Sequence, residues 1–81
     1  MIKLYYKDGC SSCTKAKTIF EAYGIKYIPI NLSNPDKREE RKYIRNLHID
    51  SLPVIELENG KIIIDCNEDD IIALIRFGDI Q

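Results

Sequence analysis

The first 32 residues change hydrophobic period twice, and that pattern constrains the fold more than any other feature. Ile2 to Tyr6 is rich in β-branched and aromatic residues and stops at Asp8-Gly9, which reads as a strand closed by a tight turn. From Ser11 the apolar positions recur every three or four residues, at Cys13, Ala16, Ile19, Phe20 and Tyr23, with Lys15, Lys17 and Glu21 opposite. This is an amphipathic helix, and Gly24 just beyond it is a suitable terminator. Lys26 to Leu32 returns to strand character. Its Pro29 cannot donate to a ladder, so the strand belongs at a sheet edge. Two strands joined through a helix should pair in parallel.

The remainder continues with local signals. Ser33-Asn34-Pro35 offers a capping side chain and a proline at the first helical position, predicting a helix to about Leu47. Only Tyr43, Ile44 and Leu47 are clearly apolar there, so it should pack through its C-terminal half. The mixed charges from Asp36 to Lys42 read as a solvated face. Val54 to Leu57 is a third strand, Asn59-Gly60 a hairpin turn and Lys61 to Ile64 the return strand. A last helix begins near Asn67 with Glu68, Asp69 and Asp70 in its first turn, favourable for the helix dipole. Ile71, Ile72, Leu74 and Ile75 form its buried face, and Gly78 follows its end. The order is βαβαββα, an α/β chain read as one domain over 1–81, with no repeat or linker.

Three cysteines, Cys10, Cys13 and Cys66, bear on chemistry. An odd count argues against a secreted disulfide scaffold and for a reducing, cytoplasmic setting. The opening Met1-Ile2-Lys3-Leu4-Tyr5-Tyr6-Lys7 has no apolar leader region. No apolar run approaches the ~20 residues that span a bilayer. A net charge of −1 offers no nucleic-acid footprint. The expected working unit is a monomer. Cys10 falls at or next to the N-cap of the first helix, where unpaired N–H groups and the helix dipole favour a thiolate. Lys7 and Lys15 add positive potential. Cys13 lies one turn on, on the apolar face. The asymmetry casts Cys10 as attacker of a substrate disulfide and Cys13 as the thiol that resolves it. A structural zinc site would need two more ligands, and only Cys66 and His48 are at hand. Cys66 reads as a half-buried structural cysteine and His48 as a surface residue in a connection.

At these residues the chain resembles the glutaredoxins and the related small redoxins that supply electrons to ribonucleotide reductase, over nearly its whole length. Tyr5-Tyr6-Lys7-Asp8-Gly9-Cys10-Ser11-Ser12-Cys13 resembles the family's strand, lysine and dithiol motif. Thr14-Lys15-Ala16-Lys17 and Gly24-Ile25-Lys26-Tyr27 are similar to its first helix and second strand. Ile49-Asp50-Ser51-Leu52-Pro53-Val54 resembles the segment with the cis-proline, and Asn59-Gly60-Lys61 its hairpin turn. Departures are Ser11-Ser12 where Pro-Tyr is frequent, no tryptophan before the motif, and about Asp65-Cys66 where a Gly-Gly pair precedes the last helix. Arsenate reductases resemble the first half but carry a helical insertion for which this chain has no room.

The resemblance implies a thioredoxin-like fold: a four-stranded mixed sheet, order 2-1-3-4, with two helices on one face and one on the other. It implies a cis Pro53 that turns the backbone of Leu52 towards the dithiol. A glutathione cradle would comprise Lys7, Leu52, Pro53, Cys66 and Asn67, with Arg41, Lys42 or Arg45 meeting the glycine carboxylate. Asn67, Glu68, Asp69 and Asp70 leave backbone amides available there, although their acidic charge works against a carboxylate. The implied activity is thiol–disulfide oxidoreduction of protein or low-molecular-weight disulfides, with no metal or prosthetic group. Reducing equivalents would come from glutathione, the co-substrate, or from a flavin-dependent thioredoxin reductase. The alternatives are an electron donor to ribonucleotide reductase and, in another class, a non-catalytic metal-binding or interaction module on the same fold.

Overall fold

Side-chain alternation along the first strand sets the two faces of the sheet. In the computed structural model, described here for residues 1–78 and 80, β1 (Ile2–Tyr6) sends Ile2 and Leu4 to one side and Tyr5 to the other. Helix α1 (Ser11–Ala22) buries Cys13, Ala16, Ile19 and Phe20. Tyr23, in step with that stripe, is instead 46% exposed, because it is the C-cap and the chain turns away there. The helix closes with the Ile25 N–H donating to the Phe20 carbonyl (2.8 Å) and that of Gly24 to the Glu21 carbonyl (3.2 Å). Gly24 supplies the φ of +68° that this closure needs.

Strand β2 (Tyr27–Asn31) pairs in parallel with β1, Ile2 opposite Tyr27 and Tyr6 opposite Asn31. It is an edge strand, as its Pro29 requires. The next helix starts later than its sequence signal. The Asn34 side chain accepts the Asp36 N–H at 2.9 Å, tightening Pro35–Lys37 into a 3₁₀ turn before α2 (Arg38–Asn46) begins. Its C-terminal half does pack, through buried Ile44 and through the Tyr43 ring, 6.1 Å from that of Tyr5, although Tyr43 and Leu47 are each 41% exposed. Helix α2 ends as α1 does, with His48 (φ +59°) in the left-handed position usually given to glycine.

Strands β3 (Val54–Glu56) and β4 (Ile62–Ile63) are antiparallel and shorter than their apolar runs. The hairpin pairing extends one step further, through Leu57 N–H to the Lys61 carbonyl at 2.9 Å. β3 also pairs antiparallel with β1, giving the order β2-β1-β3-β4 and a thioredoxin-like mixed sheet. Helix α3 (Glu68–Arg76) is capped by Asn67 and fully buries only Ile71. Ile72, Leu74 and Ile75 are half-buried against the same core. Leu4, Ile55, Phe20, Ile71 and Ile80 form the main core beneath α1 and α3, and Tyr5, Ile30, Ile44 and Val54 a smaller one beneath α2.

Tyr5 gives the smaller core a pH signature. It is buried beside Glu56, and burial first, then the Glu56 charge, push its hydroxyl from 10.0 up to about 12. The unfolded chain ionises this tyrosine at the lower pH, the folded chain only at the higher. Its contribution to stability is therefore complete below about pH 10 and lost as pH climbs towards about 12. Tyr27 and Tyr43 are shifted in the same direction, by burial and by a hydrogen bond to Glu56 respectively. Tyr5→Phe should thus flatten the alkaline loss of stability without abolishing it, as read from urea midpoints across that window. Equal slopes for parent and variant would show that Tyr5 does not ionise on unfolding.

Candidate active site

The turn that leads into α1 decides where the two thiols sit. Gly9 adopts φ +73°, which a side chain would oppose, and brings Cys10 to the N-cap in extended geometry (φ −97°, ψ 106°). Cys10 Sγ accepts the backbone N–H of Cys13 at 3.2 Å, so the sulfur takes the place that serine or aspartate oxygen usually has at a cap. The Cys10 carbonyl receives the Thr14 N–H (3.1 Å) and its hydroxyl (3.2 Å). Cys10 and Cys13 are joined sulfur to sulfur, their Cα atoms 5.3 Å apart. Cys13 is 1% exposed and Cys10 half-buried, so one sulfur of the pair faces outward and the other belongs to the core.

A polar clasp, which no local sequence signal announces, ties this loop to the end of β2. The Asp8 N–H donates to Ser33 Oγ (3.0 Å), the Asn31 side-chain amide to Asp8 Oδ1 (3.0 Å), and the Ser33 N–H to Asn31 Oδ1 (2.9 Å). Ser33 reads in sequence as part of a helix start, yet its hydroxyl serves a residue 25 positions away. A second tie runs from Ser51 Oγ to Asp65 Oδ1 at 2.6 Å, joining the segment before Pro53 to the approach of α3. The Leu52–Pro53 peptide is cis.

The residues that the resemblance nominates divide between two cavities. Lys7 and Leu52 line one of about 370 Å³ on the α2 side, with Ser33, Arg41, Arg45 and Asp50. Of the three cations named for a carboxylate, Arg41 and Arg45 are there and Lys42 is not among the lining residues. Arg41 is held by its Nη1, which donates to the carbonyls of Leu32 (2.9 Å) and Asn34 (2.7 Å). Cys66 and Asn67 line the other cavity, about 210 Å³ between α1 and α3, with Ser12, Lys15, Glu68 and Ile71. Pro53 is buried and lines neither cavity.

The start of α3 is less open to a ligand than its sequence implies. Asn67 and Asp70 form a reciprocal capping box, at 3.1 Å and 2.9 Å, which consumes both of their backbone amides. The Glu68 carboxylate is paired with Lys15 Nζ across the cavity mouth at 3.5 Å. Burial pushes the Cys66 thiol up from its ordinary pKa, and the carboxylates of Asp70 and Asp65 add to the shift. It is mostly protonated near neutral pH and therefore a poor nucleophile. Among the described residues no three His, Cys, Asp or Glu side chains gather in a group that could hold a metal ion. Nor is any described helix long and apolar enough to cross a membrane.

Comparison with known proteins in sequence and in fold leads to glutaredoxins. A glutaredoxin-like 8.6 kDa protein from the rubredoxin operon of Clostridium pasteurianum is 34% identical over 77 residues, covering 94% of this chain and 99% of that one. The crystal structure of wheat glutaredoxin superposes with a TM-score of 0.68 at 26% identity, over 95% of this chain and 73% of the other. A buckwheat glutaredoxin–glutathione complex shares the fold, with a TM-score of 0.67 at 20% identity, over 95% and 69%. The family model described as glutaredoxin matches residues 2–63, the stretch holding the dithiol turn, the Leu52–Pro53 segment and all four strands. By sequence, fold and the placing of its cysteine pair, this chain belongs to the glutaredoxin family.

Proposed function

We propose that the protein is a dithiol thiol–disulfide oxidoreductase in which Cys10 attacks and Cys13 resolves. The observation that carries this reading is the Cys10 sulfur at the N-cap of α1, accepting the Cys13 amide at 3.2 Å beside a core-facing partner sulfur. A negative sulfur there gains from the amide and the helix dipole, so Cys10 should ionise more readily than a free thiol. In the reduced protein its thiolate attacks one sulfur of a substrate disulfide and expels the other as a thiolate. Cys13 then gives up its proton, attacks Cys10 Sγ and expels the second thiolate. Two electrons have passed to the substrate, whose two thiolates take up the Cys13 proton and one more from solvent, and the protein is left with the Cys10–Cys13 bond.

Two thiols must reopen that bond, and glutathione is the reductant we favour. The cavity of Lys7, Arg41 and Arg45 has the positive charge that a terminal carboxylate seeks. The buckwheat relative, by its description, is a complex with glutathione. The acidic start of α3 opposes a second carboxylate, although Lys15 already answers Glu68. The rival reductant is a flavin-dependent thioredoxin reductase, with ribonucleotide reductase as the electron acceptor. The cytoplasm, a reducing compartment, suits a chain whose third cysteine is unpaired.

A coupled assay separates the two reductants. With glutathione and its reductase the Cys10–Cys13 bond should be reduced, at a lower rate than in a glutaredoxin with a Gly-Gly pair before the last helix. Glu68→Gln should raise the rate modestly, and more at low salt, where screening is weaker. Rapid reduction by the flavoenzyme with none by glutathione would assign the protein to the ribonucleotide-reductase redoxins instead.

A further inference from the structure

The two edges of the sheet are guarded very differently. β2 carries Pro29, which denies a donor to any incoming strand. β4, the other edge, is Ile62-Ile63 followed directly by Ile64, β-branched throughout and without proline or charge. The ladder with β3 fixes which of its backbone groups point outward. Leu57 bonds to Lys61, and Ile55 faces Ile63 two residues on, so Lys61 and Ile63 turn their amides and carbonyls inward. Ile62 and Ile64 therefore direct theirs away from the sheet. Beside this edge lies an apolar groove of about 350 Å³, lined by Ile63, Ile64, Cys66, Ala73, Leu74 and Phe77, with Asp70 the only charged residue among the described ones that line it. Phe77 is 82% exposed and Ile64 44%.

We propose that this edge takes a second copy of the same chain, β4 pairing antiparallel with β4 about a two-fold axis through Ile63. That register makes Ile62 and the partner's Ile64 a hydrogen-bonded pair, twice over, so the outward groups of both copies are satisfied within three residues. It also sets Lys61, just before the shared stretch, at the same end as the partner's Asp65, just past it and already accepting the Ser51 hydroxyl, a long-range charge match that a register shifted by one residue weakens. Asp65 turns the chain away with φ +53°, which limits the shared ladder to this short stretch. Phe77 and Ile64 then border a groove that faces its own symmetry mate, and apolar surface is covered on both sides. An interface this small belongs to the weak class, so the pair forms at high protein concentration and separates on dilution. The open edge thus points away from the single working copy expected from sequence.

Sedimentation velocity on the full, reduced chain, from low micromolar to about millimolar concentration, tests this. The mass should rise from one chain towards two. Ile64→Pro removes an outward N–H that the β3 ladder does not use, and should weaken association about tenfold. Phe77→Ser and Lys61→Glu, both on exposed side chains, should also weaken it, the latter more strongly at low salt. Far-UV circular dichroism reports whether each variant is folded. Should Ile64→Pro unfold, the other two decide. A one-chain mass at every concentration overturns the proposal, including the case in which the edge receives an extended segment of another protein. So does a dimer that Phe77→Ser and Lys61→Glu leave equally strong.

Discussion

Cys10→Ser should reduce disulfide turnover to the uncatalysed rate, a loss of several orders of magnitude, while the protein remains folded. The two halves of this expectation rest on different properties of one atom. As a nucleophile, the sulfur has no substitute in a serine hydroxyl, which is not ionised near neutral pH. As a cap, it accepts the Cys13 amide at 3.2 Å, and serine is among the best residues for that task. Cys13→Ser should separate the steps instead. Attack by Cys10 persists, resolution fails, and mixed disulfides with substrates accumulate, visible as adducts by mass spectrometry under non-reducing conditions. Cys13 is almost wholly buried, so this variant should also lose stability, by about 1–3 kcal/mol for a hydroxyl left short of partners. If the Cys10 variant collected adducts and the Cys13 variant did not, the assigned roles would be exchanged.

Phe20→Ala should cost about 3–5 kcal/mol of folding free energy, the largest effect expected from truncating one side chain. Phe20 is fully buried on α1 in the core shared with Leu4, Ile55 and Ile71, and its ring centre lies 5.2 Å from that of Tyr27 on β2. It therefore joins the first helix to both the sheet centre and its edge, and the cavity left behind has rigid strands along one side. At about 0.05–0.15 kcal/mol per residue, a chain of 81 residues has a total stability of roughly 4–12 kcal/mol. The variant should keep a third of that or less at the lower end, and show a sharply lower urea midpoint with an unchanged slope. A loss below about 1 kcal/mol would mean that the core closes around the missing ring, contrary to the packing described.

What the sequence disclosed, and what it withheld, divides by distance along the chain. The Asp8-Gly9 turn, the cap at Cys10 and the placing of Cys13 one turn later depend on neighbours within four residues, and they read correctly. So did the edge position of β2, since a single proline forbids the alternative. The sheet order and the cis Leu52–Pro53 bond came from family resemblance, and nothing in residue pattern alone would have supplied them. The clasp of Asp8, Asn31 and Ser33 joins residues more than twenty positions apart and left no local trace. The start of the last helix near Asn67 was legible, but not the reciprocal bonds between Asn67 and Asp70, which occupy amides otherwise free for a ligand. Burial was overestimated on α2 because periodicity marks a face without saying how much protein lies opposite it.

That shallow seating of α2 has a further consequence. One buried residue, Ile44, the Tyr43 ring against Tyr5, a bond from Tyr43 to Glu56 at 2.6 Å and the two from Arg41 are the main ties of the helix to the remainder. None of these belongs to the core under α1 and α3, so α2 can detach while that core stays closed. Its amides should exchange with solvent through a local opening of much lower free energy than global unfolding. Arg41 and Arg45 on this helix also form a wall of the cavity that Lys7 shares. An anion bridging them to Lys7 would bind only the seated form, and would slow exchange across 38–46 in proportion to its occupancy.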